Sequence, residues 1–157
     1  MELTSLMRDL VNAGHKVHTT IQHYEARPAT AQEADTLKIT EGTLVVHIER
    51  TRFADNEPIA VLTNLIPADI APTMQELESA SLYDLMRERG VTLASARQII
   101  GARSATTKEA KLLSEHRGAA LLTSQRTTYD PSGRIVECGD HIYRASRYSF
   151  EASLFAQ

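Results

Sequence analysis

At 157 residues, with 42% hydrophobic and 24% charged side chains, the chain is long enough to bury one core of ordinary domain size and too apolar to be disordered. A net charge of −3, with 17 Lys and Arg scattered along the sequence, argues against nucleic-acid binding by these residues alone. The single cysteine, Cys138, cannot close an internal disulfide, and no apolar run approaches membrane-spanning length, which predicts a soluble, cytoplasmic chain without a membrane partner.

Taken in order, the sequence repeats itself. Sliding it by 76 positions without a gap aligns Glu2 with Glu78 at one end and Ile66 with Ile142 at the other. Between them Ser5-Leu6 falls on Ser81-Leu82, Gly14 on Gly90, Gln22 on Gln98, and Arg50-Thr51 on Arg126-Thr127. Two pseudo-symmetric halves, about 1–76 and 77–152, are expected within one domain spanning 1–157.

Each half opens with an amphipathic helix. Leu3, Leu6, Met7, Leu10 and Val11 supply the apolar stripe of the first, and Leu82, Leu85 and Met86 that of the second, with Gly14 and Gly90 as stops. Ser81 with Asp84 has the character of an N-terminal cap. A strand follows, over about 16–26 and 96–103, then a short helix announced by Thr30 with Glu33 and Thr106 with Glu109, the spacing of a capping box. Gly42 and Gly118 lead into hairpins turning at Ala54 to Pro58 and at Asp130 to Gly133. The fold class expected is α+β, an antiparallel sheet of about six strands with helices on one side. The segment from Pro67 to Met74 is the expected link between halves.

The first hairpin carries the clearest chemical signal. Strand side chains alternate, so Leu44, Val46, Ile48, Arg50 and Arg52 share a face that begins as core and ends as paired positive charge. Guanidinium groups leave water at a cost unless partnered, so the pair reads as a receptor for an anion. The alternative is that both reach solvent or pair with Glu49 or Asp55. Arg52 is answered in the second half by Thr128, so the cationic fork exists only once. On the second return strand Ile135, Glu137, Gly139, His141 and Tyr143 are expected on one face, against Ile59, Val61, Thr63, Leu65 and Pro67 in the first half. A carboxylate, an imidazole and a phenol thereby replace core residues, and a ligand could partner them. Tyr24, Tyr83 and Tyr148 read as core or rim, and Cys138 as a packed thiol.

Catalytic signatures are missing. His15, His18 and His23 lack metal-ligand geometry, so no metal is expected, and no nucleotide-binding or nucleophile-elbow motif implies a cofactor or a catalytic residue.

With these residues in view, the chain resembles the UTRA effector-binding domain of the HutC subfamily of GntR-type bacterial transcription regulators. The resemblance rests on Ser5 to Gly14, on Arg50-Thr51-Arg52-Phe53-Ala54-Asp55-Asn56-Glu57-Pro58-Ile59, on Pro67 and on Ser81-Leu82-Tyr83. It continues through Thr127 to Asp130 with Gly133, Val136-Glu137, and Tyr143-Arg144 with Arg147-Tyr148 and Phe150. It implies a chorismate-lyase-like fold, a small acidic metabolite as effector, a homodimer, and DNA binding only through a winged helix absent from these residues. By the same resemblance Arg50 and Arg52 clamp the acid, Ser81, Glu137 and Tyr143 contact the ligand, and Thr4 and Ser5 contribute from the N-terminal side. Two departures, Leu62 in place of a glutamate and Ala145-Ser146 in place of Gly-Asp, argue against an amino-sugar phosphate and admit a less polar acidic ligand. The competing readings are a cofactor-free, lyase-like enzyme acting on a small carboxylic acid, and a ligand-free dimerisation module.

Overall fold

A computed structural model describes residues 12–156 of the chain. The expected first helix therefore lies outside the described residues, apart from its stop, Gly14, whose φ is +88°.

Six strands form one antiparallel sheet: β1 (Val17–Pro28), β2 (Leu44–Ala54), β3 (Glu57–Pro67), β4 (Ser95–Ser104), β5 (Ala120–Tyr129) and β6 (Ile135–Arg144). Their order across the sheet is β1-β2-β3-β6-β5-β4. Each run of three consecutive strands pairs within itself, and the two runs meet where β3 lies beside β6. The helices are short: α1 (Ala31–Leu37), α2 (Met74–Leu77), α3 (Leu82–Glu88) and α4 (Thr107–Leu112).

Local chemistry explains the boundaries. The β2-β3 hairpin turns on Asp55 and Asn56, both at positive φ (51° and 67°), a backbone region that Asn and Asp tolerate and that matches the twist of the flanking strands. In both predicted capping boxes the threonine Oγ1 accepts from the glutamate N–H while the glutamate carboxylate accepts from the threonine N–H, at Thr30 with Glu33 and Thr106 with Glu109. Thr73 and Glu76 cap α2 in the same way within the segment read as a linker. In the second hairpin Asp130 Oδ1 accepts from the backbone N–H groups of Ser132 and Arg134.

The helices do not all lie on one side of the sheet, which corrects that part of the expected architecture. Leu77, Leu82, Tyr83, Leu85 and Met86 of α2 and α3 pack on Val46, Ile48, Ile66 and Val136. Ala34 and Leu37 of α1 pack on Val45 and Ile135, and Ala110 of α4 with the adjoining Leu113 packs on Val61 and Ile142, on the opposite face. The central strands are covered on both faces, so they read as unbroken apolar runs, Val45-Val46 and Ile59 to Leu62, rather than as a clean alternation.

The ungapped comparison of the halves also slips past the hairpins. Arg50 pairs with Leu62 and Arg126 with Gly139, so a separation of 76 before the turn (126 − 50) becomes 77 after it (139 − 62). The cause is one extra residue in the second turn: Phe53 faces Pro58, whereas Tyr129 faces Ile135. The counterparts of Glu137, Gly139, His141 and Tyr143 are thus Ala60, Leu62, Asn64 and Ile66. A bulge at Val136 turns Ile135 to the α1 face, so Ile135 does not share a face with Glu137.

Replacing Thr106 with Ala removes one cap of the helix that closes the cluster around Leu113. Thermal unfolding is expected to show a loss of about 1 kcal/mol, a fall in Tm of about 3 °C for a domain of this size.

Candidate functional site

Four neighbouring strands, β2, β3, β6 and β5, present polar side chains on the face that also carries α3. Arg50 and Arg52 project from β2 beyond the apolar Val46 and Ile48, as the alternation predicts, and each is only 3% exposed. Asp55 does not neutralise them: it accepts from the Lys16 N–H and pairs with the His15 imidazole. Arg50 Nη2 donates to Asn64 Oδ1 at 3.0 Å, and its Nε has no partner among the described residues. Arg52 Nε is likewise buried without a partner, beside an apolar patch of Ile59, Ala60, Leu62 and Tyr143. Burial pushes the Arg50 guanidinium down to about 10, against the pull of Glu137. Burial, and then the neighbouring charge of Arg50, push Arg52 to about 9.

Asn64 is the hub. Its Oδ1 accepts from Arg50, and its Nδ2 donates to Glu137 Oε1 at 2.7 Å and lies 3.4 Å from His141 Nε2. The fully buried Glu137 also accepts at Oε2 from Thr128 Oγ1 (2.9 Å) and from the Tyr83 hydroxyl (3.2 Å). Burial raises its pKa, while these donors pull the other way. Gly139 makes room for the arrangement, because a Cβ there would lie 2.8 Å from His141 Nε2 and 2.9 Å from Glu137 Oε1. His141 Nδ1 lies 3.2 Å from the Tyr143 hydroxyl, and an imidazole that accepts from Asn64 at Nε2 has Nδ1 as its donor. Tyr143 stacks on Tyr148 with ring centroids 4.5 Å apart, and burial raises its pKa.

A third arginine lies on the β5 side. Arg126 Nε and Nη2 both donate to Gln98 Oε1, at 2.9 and 2.7 Å, and Nη1 donates to the Tyr83 hydroxyl at 3.3 Å. Burial pushes the Tyr83 phenol up to about 12, and the Glu137 charge adds to the shift.

Of the residues singled out from the sequence, Arg50, Arg52, Glu137 and Tyr143 lie on this face. Ser81 is the N-cap of α3, its Oγ accepting from the Asp84 N–H at 3.2 Å, two residues before Tyr83. Thr4 and Ser5 lie outside the described residues. Sequence reasoning missed Asn64 and Arg126, and took Tyr83 as core or rim only. Asn64 was detectable as the polar member of the alternation Ala60, Leu62, Asn64, Ile66, and Arg126 as the twin of Arg50. Cys138 faces α1, where burial raises its thiol to about 11.

Against known proteins, the UTRA domain model matches residues 12–149. The chain belongs to the UTRA domain family. This UTRA domain is 30% identical over 150 residues to the HTH-type transcriptional repressor NagR of Bacillus subtilis, covering 94% of the chain and 62% of NagR. It is 28% identical over 132 residues to the transcriptional repressor PhnF of Mycolicibacterium smegmatis, covering 82% of the chain and 54% of PhnF. The chain thus spans less than two thirds of the length of these relatives. Among solved structures, a Streptomyces coelicolor protein described as a transcriptional regulator is 46% identical, with a TM-score of 0.83 over 91% of this chain and 96% of that one. The effector domain of PhnF superposes with a TM-score of 0.91 at 23% identity, covering 99% and 98% of the two chains, which shows the shared fold. The sheet is the chorismate-lyase-like arrangement of UTRA domains, and the chain is an effector-binding domain of the GntR-type regulator class. No described helix is long and apolar enough to cross a membrane.

Burial, together with Arg50, Arg126 and Arg52, pushes the His141 imidazole down to about 3. Unfolding restores an ordinary value near ~6.5, so the unfolded chain binds the extra proton and stability falls as pH drops from about 7 toward 3. Denaturant titrations of the native protein and of His141→Gln should show this contribution only in the native protein, reaching about 2 kcal/mol at pH 5.

Proposed function

We propose that this UTRA domain binds a small acidic metabolite, phosphorylated or carboxylated, through Arg50 and Arg52. The observation that carries the reading is Arg52: a guanidinium 3% exposed whose Nε has no hydrogen-bond partner among the described residues. A buried cation of this kind costs several kcal/mol unless something neutralises it, and the planar fork matches the paired oxygens of a carboxylate or phosphate. Ser81 Oγ accepts from the Asp84 N–H, and its hydroxyl carries a proton that it can donate to an acid. Glu137 and Tyr143 provide acceptor and donor groups for hydroxyls or amines. Leu62, paired with Arg50 and lying in the apolar patch with Ala60 and Tyr143, favours an apolar wall over a hydroxyl contact.

The chain acts as one sensing domain built of two repeated halves, in a homodimer, and effector binding alters DNA affinity through a winged-helix domain of the parent regulator. The effector can shift that equilibrium only by binding one arrangement more tightly than the other. The repressors NagR and PhnF among the relatives support this role over the lyase-like alternative.

Thermal unfolding against a panel of phosphorylated sugars, phosphonates and small carboxylic acids tests the reading. A compound at roughly 100 times its Kd adds about 2.7 kcal/mol, a rise of about 5 to 10 °C. The rise should vanish in the Arg50→Ala/Arg52→Ala double variant. An equal rise in both proteins would remove the arginines from the site.

A further inference from the structure

The polar face has a second cationic pole that the reading above does not use. Arg126 projects from β5 on the same face as Arg50 and Arg52, and all three arginines act on His141 between them. Two strands, β3 and β6, separate β2 from β5, so the backbones carrying Arg50 and Arg126 lie roughly 14 Å apart, with Arg50 bonded to Asn64 on β3 and Arg126 bonded to Gln98 on β4 and to the Tyr83 hydroxyl. Glu137 is the carboxylate bonded into this network, and among the described residues it is held by Asn64, Thr128 and Tyr83 rather than by an arginine. Three cations against one acid leave the described face with an excess of positive charge.

Among the described residues the hydrogen-bond partners of Arg126 are all neutral. Its Nε and Nη2 converge on the single oxygen Oε1 of Gln98, which also accepts from Ser124 Oγ at 3.1 Å. An arginine fork is shaped for two oxygens and binds a charged acceptor more strongly than a neutral one. Here one amide oxygen serves three donors, so the fork is filled without being neutralised. Gln98 stands on β4, the edge strand of the sheet, whose residues are otherwise exposed. Rotation of Gln98 away from the fork leaves these donors for an incoming acid to satisfy. The first half has no such device, because the residue paired with Arg50 on β1 is Ile21.

We propose that Arg126 is a second acid receptor on the same face, with Gln98 as its exchangeable partner, so that the effector carries two acidic groups joined by a short carbon spacer. One group sits on Arg50 and Arg52. The other displaces the Gln98 amide from the Arg126 fork, and Asn64, His141 and Glu137 contact the polar groups between. This assignment rests on the Arg50 and Arg52 reading for the first acid, and it fails separately from that reading.

The test is calorimetric titration of the protein at physiological salt with two matched pairs: 6-phosphogluconate against glucitol 6-phosphate, and adipate against its monoamide. Each pair differs only in whether the second end is a carboxylate. In at least one pair the two-acid member should bind about tenfold or more tightly than its one-acid mate, the range of a hydrogen-bonded charge. Arg126→Gln should collapse that ratio toward one, and Arg126→Lys, which keeps the charge without the fork, should leave an intermediate ratio. Gln98→Ala, which frees the fork, should hold the ratio or raise it. A ratio near one in both pairs for the native protein, absence of binding included, overturns the proposal. So does a ratio that survives Arg126→Gln in a variant that still unfolds cooperatively, or one that Gln98→Ala lowers. Loss of binding for both members of a pair in Arg50→Ala/Arg52→Ala supports the first pole, whatever Arg126 does. Undiminished binding of both there condemns the first pole and this proposal together.

Discussion

Asn64 stands where the two halves of the sheet meet, and the polar side of the structure depends on it. Its carbonyl holds Arg50 of one half while its amide N–H groups reach Glu137 and His141 of the other. A side chain with a single polarity could not do both, because Arg50 only donates and Glu137 accepts. The consequence is a connected floor of hydrogen bonds running from β2 to β5, above a sheet whose other face is closed by α1 and α4. Buried polar groups satisfied in this way are rigid, and rigidity at the floor leaves the unsatisfied cations at the margin to respond to what binds.

The asymmetry between the halves follows from small changes on a shared plan. One additional residue in the second turn displaces β6 by one position relative to β5, and this brings Glu137, Gly139, His141 and Tyr143 to the polar face in place of Ala60, Leu62, Asn64 and Ile66. A side chain at position 139 would displace the ends of Glu137 and His141, which both lie close to where its Cβ would be. In the first half the space is apolar, and Arg52 stands there with only Arg50 for a charged neighbour on its own strand. The two ends of the polar face therefore differ in character, one hydrocarbon-walled and one hydrogen-bonded.

Much of this was legible in the sequence, for physical reasons that can be named. Capping boxes, hairpin turns and the alternation that sets Arg50 and Arg52 on the face of Val46 and Ile48 are local, and local rules recovered them. What the sequence concealed was long-range. The ungapped repeat could not register an insertion within the second turn, so it matched Glu137 to Val61 instead of Ala60. Helices on both faces were hidden because a doubly covered strand such as Ile59 to Leu62 gives no alternation to orient it. The sequence alone reads Tyr83 as core or rim. It is core, yet its hydroxyl reaches across to Thr128 and Glu137, which only the packing of α3 on the sheet reveals. Arg126 was visible as a repeat of Arg50, but its place on the polar face depends on the sheet order.

The central claim is that Arg52 is held buried for the sake of an anion and at the expense of stability. The most direct measurement is equilibrium unfolding of Arg52→Met, which keeps the length and apolar stem of the side chain and removes its charge. Without added anion the variant should be more stable than the native protein by about 1 to 4 kcal/mol, as when buried charges give way to well-packed apolar groups. It should also lose the stabilisation that an acidic ligand confers. A variant that is less stable by the usual cost of a core substitution and still responds fully to that ligand would contradict the account.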